Sequence, residues 1–283
     1  LTVNLNCFQL LNLYMTLWAL KVMKKNPIKK VVKLILNFFS RQFLNRISLI
    51  LRPVLRILYK GTKYVDPIDG SSYRTFLPYG YNRLRKNALC PGTLSLERHR
   101  LLWLYLNKKT KLLEKNISVL HVAPEIIFLK KFKKIANWNY VSIDLKSPLA
   151  DIKANLYNIP FKENCFDLIL CNHVLEHIED DYKALNELYR VIKNKGTLIA
   201  QIPLDKNLKK TFENKKIMDP RERNKYFGQY DHVRVYGLDF YDRLAKSGFT
   251  PKKIDILKKM SKEEKIKYCL PKNEEIPIGI AIK

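Results

Sequence analysis

Glycine is scarce in this chain, nine residues in 283, and it is missing from a turn where it would be useful. After the apolar run Ile117 to Val122 the sequence reads Ala123-Pro124-Glu125. A nucleotide-binding loop normally carries glycines there, so that backbone amides can close around a phosphate. Cysteine is sparse as well. Cys7, Cys90, Cys165, Cys171 and Cys269 are odd in number and scattered, which argues against a disulfide framework and points to a reducing cytoplasm. Acidic side chains are absent from the first sixty positions, where eleven of the Lys and Arg residues fall. Long hydrophobic runs are absent too. Residues 7–20 are apolar but too short to span a bilayer, and they lack the basic residues that precede a signal-peptide core. Because the chain opens on Leu1 and carries Met15 and Met23, part of this stretch is expected to lie upstream of the natural start.

What is present is enough for a real core. An apolar fraction of 47% with 11% aromatics places the chain among folded proteins, and its length suggests a large domain with a smaller appendage. The net charge of +27 would by itself suggest nucleic acid or an anionic membrane as partner. The lysines, however, are spread through a chain rich in Lys, Asn and Ile, as a compositional bias would spread them, and such lysines form solvated faces. A small-molecule partner is therefore favoured over nucleic acid.

Residues 1–60 read as a basic helical segment. From Lys29 to Lys60, Val31, Leu34, Ile35, Phe38, Phe39, Phe43, Leu44, Ile47, Ile50 and Leu51 recur at helical spacing between Lys and Arg, with a bend expected near Pro53. Such a helix either packs on the protein or on a second copy, or lies on an anionic membrane through residues 28–60, at the inner face. Residues 61–94 are turn-rich. Asp66-Pro-Ile-Asp69 and Cys90-Pro-Gly-Thr93 have the spacing of two metal knuckles, but two carboxylates, one thiol and one hydroxyl hold zinc poorly. A metal-free ribbon organised by Asp66 and Asp69 side-chain hydrogen bonds is expected.

From Ser95 the pattern alternates. A helix is read over 94–115, strands over 117–123, 138–145, 165–174 and 197–204, and helices over 126–136 and 180–194, the latter closed by Gly196. This implies an α/β domain over 95–283, a parallel sheet with helices on both faces whose ligands bind at the carboxyl ends of the strands. A long polar insertion covers 203–236, followed by a helix at 238–248 and two last strands at 250–257 and 276–283.

The strings VLHVAPE, SIDL, ANLYNIPFKENCFDLILCNHVLEHIEDD and ELYRVIKNKGTLIAQIPL together resemble class I S-adenosylmethionine-dependent methyltransferases, specifically a bacterial branch whose first motif ends in Ala-Pro-Glu. The similarity covers about residues 95–283, and the ribbon before it resembles one that carries cysteine pairs in some members. The resemblance implies a Rossmann-like seven-stranded sheet with an antiparallel final strand, S-adenosyl-L-methionine as cofactor, and a methyl acceptor that the sequence does not name. His121 stands at the family's acid position and Ala123 at its first glycine. Because the cofactor has no phosphate, a small Ala123 still suits the loop. Glu125 either pairs with the cofactor's ammonium or is a solvated carboxylate at a helix start. Asp144 is expected to accept the ribose hydroxyls. Asn155, beside Leu156, is placed to meet the adenine amino group, and Asn172 and His173 face the cofactor and substrate.

Methyl transfer asks mainly for alignment and desolvation, and for a general base only when the acceptor arrives protonated. His173 and His232 are the candidates, His232 held by Asp231. Within FGQYDHVRVYG, the residues Gln229, Tyr230, Asp231, His232, Arg234 and Tyr236 read either as a substrate-facing cluster or as a self-satisfied polar loop. The string HVLEH also spells a zinc-peptidase pattern in which His173 and His177 chelate the metal and Glu176 is the base. That pattern needs helix from His173 onward, whereas here it follows directly on a strand, so no metal site is assigned. A cofactor-binding protein without turnover is the remaining alternative.

Overall fold

The computed structural model describes residues 52–79 and 85–283. They form two compact units, one built from the described part of 4–108 with Leu257–Asn273, the other from Lys109–Ile256 with Glu274–Lys283. The apolar run at 7–20 and most of the basic segment at 28–60 lie outside the described residues. Among the described residues no helix is long and apolar enough to cross a membrane.

The smaller unit begins with a helical stretch at 52–58, in which Leu55 is buried while Val54, Ile57 and Leu58 are exposed. Strand β1 (Lys60–Val65) pairs antiparallel with β2 (Ser72–Tyr73), and β3 (Leu77–Tyr79) with β4 (Arg85–Leu89). Helix α1 (Glu97–Lys109) follows. The two knuckle-like turns are joined by hydrogen bonds. Asp66 is fully buried; its Oδ1 accepts from the Ile68 amide at 2.9 Å, and its Oδ2 accepts from Ser95 Oγ at 2.6 Å and from Thr93 Oγ1. Asp69 holds its own turn through the amide and hydroxyl of Ser71. Burial, reinforced by the Asp66 charge, pushes the Cys90 thiol up to about 12, so in a metal-free ribbon the sulfur stays protonated. Gly92 is required sterically, since a Cβ there would sit 1.9 Å from Tyr73 Oη. Arg100 is buried on α1, and its guanidinium bonds Ser95, Ala88, Tyr268 and Cys269.

The larger unit contains β5 (Ile117–Val122), α2 (Ile126–Phe132), β6 (Trp138–Asp144), β7 (Ile152–Lys153), β8 (Phe166–Cys171), α3 (Asp181–Val191), β9 (Ile192–Ile199), β10 (Phe212–Glu213), α4 (Pro220–Phe227), β11 (Arg234–Val235), α5 (Phe240–Lys246), β12 (Phe249–Ile254) and, after α6 (Lys262–Lys267) of the other unit, β13 (Ile276–Ala281). Seven of these strands form one sheet in the order β12-β13-β9-β8-β5-β6-β7. The five strands from β9 to β7 are parallel, while β13 runs antiparallel to both β9 and β12. This is the seven-stranded Rossmann-like arrangement, with the final strand inserted beside the edge strand. Leu120, Ile169 and Leu198 are buried completely, as expected of central parallel strands covered on both faces, and each such side chain contributes about 1.5–3 kcal/mol.

Two readings of the chain need correction. Gly196 does not close a helix: α3 ends at Val191, β9 starts at Ile192, and Gly196 lies inside that strand. The residues before it loop out where the β8–β9 register shifts, with Lys195 at φ 61°. The seventh strand, β7, is only two residues long and lies in a stretch that reads as loop, because two residues carry no periodicity.

Candidate functional site

Leaving β5, the sheet grows one way through β6 and β7 and the other way through β8 and β9. The switch point between β5 and β8 opens a crevice at their carboxyl ends. Here Ala123 adopts φ 48°, a left-handed conformation that costs an L-residue roughly 1–2 kcal/mol. The turn therefore keeps the backbone path a glycine would take. Its shape is held by the Ala123 amide, which donates to Ile143 O at 2.8 Å.

Glu125 occupies the N-cap of α2, yet its side chain makes no capping bond. It turns instead toward His121, whose Nε2 lies 3.0 Å from Glu125 Oε2, while His121 Nδ1 lies 2.9 Å from Tyr140 Oη. Burial, with the negative charges of Asp151 and Glu125 adding to it, drives the Tyr140 phenol strongly upward, so Tyr140 keeps its proton and can donate it. Tyr140 O–H to Nδ1 and Nε2–H to Glu125 then satisfies both ring nitrogens. Glu125 is 7% exposed, so it is not a solvated carboxylate. The histidine in the acid position thus brings a carboxylate with it.

Asp144 ends β6. Its Oδ1 accepts from the amides of Lys146 and Ser147, both at 2.7 Å, which fixes the carboxylate at the strand end. Oδ2 accepts no hydrogen bond among the described residues. Asn155 is exposed, and its Oδ1 accepts from the Tyr157 amide at 3.0 Å in a tight turn, while neighbouring Leu156 is part of the core. Asn172, at the end of β8, is buried; its Oδ1 accepts weakly from the Gln201 amide at 3.4 Å, and its Nδ2 is buried with no acceptor among the described residues.

The segment after Asn172 is not a helix from His173. His173 has φ 52°, Val174 is irregular, and only a single 3-10 turn, Leu175–His177, follows. The chelating face that the peptidase pattern demands is therefore not formed. His173 Nδ1 meets Glu176 Oε1 at 3.1 Å. His177 Nδ1 faces Asp231, 3.2 Å from its backbone O and 3.4 Å from Oδ2. The expected Asp231–His232 pair is thus corrected to Asp231–His177. His232 Nδ1 instead lies 3.2 Å from Phe227 O, and its ring stands edge-on to His177 at 4.7 Å between centroids. Gly228, at φ 82°, ends α4 and turns the chain toward this pair.

These environments pull the titrations apart. Glu176 is buried, which alone would raise its carboxyl, but the hydrogen bond from His173 and the nearby imidazoles hold it well below the usual range. Burial works against protonating His177, yet its bond to Asp231 and the charges of Glu176 and Asp231 raise it. Burial keeps His232 low despite Glu176.

Arg234 and Tyr236 are taken up by bonds within the fold. Buried Arg234 donates to Leu175 O at 3.1 Å and Glu179 O at 2.9 Å, and Tyr236 Oη donates to Asp181 Oδ2 at 2.8 Å. Together they clamp the 175–179 segment onto the insertion. Tyr140 and Gln201 were not found by sequence reasoning, and no local signal marks either. Adjacent Glu176 and His177 were visible only as part of the peptidase pattern.

Residues 111–200 match the family model of a methyltransferase domain. An uncharacterized protein of Methanocaldococcus jannaschii, MJ0638, is 40% identical over 90 residues, which is 32% of this chain and 34% of that protein. The ubiquinone/menaquinone biosynthesis C-methyltransferase UbiE of Haemophilus ducreyi is 32% identical over 85 residues, 30% of this chain and 28% of that protein. The chain spans about a third of the length of the curated relatives it matches. Among solved structures, the PH0226 protein of Pyrococcus horikoshii covers 68% of this chain and 93% of its own at 15% identity, with a TM-score of 0.42. The 1,6-didemethyltoxoflavin-N1-methyltransferase of Burkholderia thailandensis, solved with bound 1,6-didemethyltoxoflavin and S-adenosylhomocysteine, matches over 60% of this chain and 73% of its own at 13% identity, with a TM-score of 0.41.

Proposed function

We propose, for a chain whose residues 111–200 match the family model of a methyltransferase domain, that the crevice at the carboxyl ends of β5, β6 and β8 binds S-adenosylmethionine and that the chain transfers its methyl group to a small acceptor. The observation that carries this reading is the left-handed turn at Ala123 beside an anchored carboxylate at Asp144, both at the switch point of the sheet. The donor set suits this cofactor. The turn from His121 to Glu125 contains no Lys or Arg for a phosphate, while carboxylates suit ribose hydroxyls and an ammonium group. Asn172 Nδ2, buried and without a partner among the described residues, offers a donor to an acceptor atom of the bound group.

When bound, the cofactor supplies a methyl group already activated on a sulfonium. The chain's part is to hold and align. Asp144 takes the ribose hydroxyls through the oxygen left free by its turn, the carboxylate of Glu125 faces the ammonium group, and Asn155 with Leu156 borders the adenine. His173 and His232 are the base candidates for an acceptor that arrives protonated, His232 as long as its Nε2 is not occupied by another ligand. The setting in this reading is cytoplasmic, with residues 28–60 resting on an anionic membrane; the exposed Val54 and Ile57 support such a contact.

Calorimetric titration of the full chain with S-adenosylmethionine tests the reading. Asp144→Asn is expected to weaken binding about 10–100-fold, the worth of one to two hydrogen bonds to a charged acceptor. Absence of binding by the unaltered chain removes the proposal, and binding without methyl transfer to any component of a cell extract leaves a cofactor binder in its place.

A further inference from the structure

Glu176, His177 and His232 each offer a ligand atom, and these atoms lie within 4.8 Å of one another. Two independent details show that this is more than a crowd of polar groups. The first is the direction of the imidazoles. The backbone oxygens of Phe227 and Asp231 can only accept, so each bond fixes the proton on Nδ1 and leaves the Nε2 lone pair available in the neutral ring. A metal-binding histidine is oriented in this way, with its other nitrogen donating to a carbonyl or carboxylate. The second is the carboxylate. Glu176 is 1% exposed, its Oε1 accepts from His173, and its Oε2 is buried with no hydrogen-bond partner among the described residues. A buried carboxylate oxygen without a partner is costly unless a cation meets it.

We propose that Glu176, His177 and His232 form a site for a divalent transition-metal ion of the zinc type, with at least one coordination position open to water or to an oxygen donor. Two imidazoles and one carboxylate suit zinc, which in open sites takes three protein ligands. Ligand atoms in a tetrahedral site with bonds of about 2.0–2.1 Å lie about 3.3 Å apart, so atoms that lie within 4.8 Å of one another must draw in by up to about 1.5 Å when the ion binds. The set differs from the peptidase pattern twice over: Glu176 is a ligand and not the base, and His232 takes the place of His173. His173 bonds Glu176 and orients it, while His232 arrives from the insertion, whose Val233 amide donates to Glu176 O at 2.9 Å.

The test needs neither cofactor nor acceptor, so its outcome is separate from that of the methyl-transfer reading. The full chain, without a histidine tag and stripped by a chelator, is titrated with Co2+ and with Zn2+. One equivalent of Co2+ is expected to give visible ligand-field bands, and Zn2+ to displace it and raise the melting temperature. His177→Ala and His232→Ala should each abolish the bands, and Asp231→Asn should weaken binding about 10–100-fold as the support of His177 is lost. Should the variants fail to fold, the unaltered chain still decides: no stoichiometric bands and no thermal shift overturn the proposal. Bands that survive both histidine variants, or that depend on His173 and not on His232, overturn it equally.

Discussion

Arg100 in the smaller unit and Glu176 at the end of β8 are both buried charged side chains, and they differ in what surrounds them. Arg100 makes five hydrogen bonds, to Tyr268 O, Ser95 O, Ser95 Oγ, Ala88 O and Cys269 O. Ser95 passes the connection on to Asp66. Where a ribbon of this spacing would hold a metal, the chain has built a hydrogen-bonded knot that draws β4, the second knuckle and the 268–269 turn together. Glu176 and its neighbour Asn172 instead retain a buried oxygen and a buried amide nitrogen without partners among the described residues. A satisfied buried charge organises structure, whereas an unsatisfied one marks where something else is meant to bind.

Substitutions can break or sharpen this contrast. The largest effect is expected from Arg100→Met, which takes a donor from five acceptors, four carbonyls and one hydroxyl, and should cost about 3–5 kcal/mol in urea unfolding. A loss below 1 kcal/mol would show that the knot is dispensable. Asn172→Ala should cost only about 1 kcal/mol or less of stability, because its amide nitrogen bonds nothing among the described residues, while S-adenosylmethionine affinity falls; an equally large stability loss would erase the distinction. The smallest effect belongs to the turn. Ala123→Gly relieves φ 48° but gives the unfolded chain more freedom, so a net gain of up to about 1 kcal/mol in melting experiments is expected. A clear destabilisation would mean that the alanine methyl is itself packed and needed.

The sheet was legible because its central strands are buried on both faces: ISVLHV and FDLILC are mostly apolar, broken only by Ser118, His121 and Asp167, and such near-continuous runs announce parallel strands wherever they lie. Asp144 was legible for the same reason, as the first acid after a strand. The Glu125–His121 pair was half visible. Four residues separate the two, but only the turn's left-handed step brings the carboxylate back onto the ring. Asp66 and Asp69 could be read as turn organisers from spacing, while the bond from Asp66 across to Thr93 could not.

By itself the sequence determined the alternation of strands and helices, the glycine-poor turn and the acid at the end of β6, because periodicity, turn chemistry and strand ends are local properties of a few consecutive residues. Tertiary structure alone decided that Asp231 serves His177, that Arg234 and Tyr236 are clamps, and that His232 meets a glutamate 56 positions earlier. Those pairings depend on how the insertion folds back onto the segment after β8, and closure of a loop across such distances is set by long-range packing and hydrogen bonds, which leave no trace in local spacing.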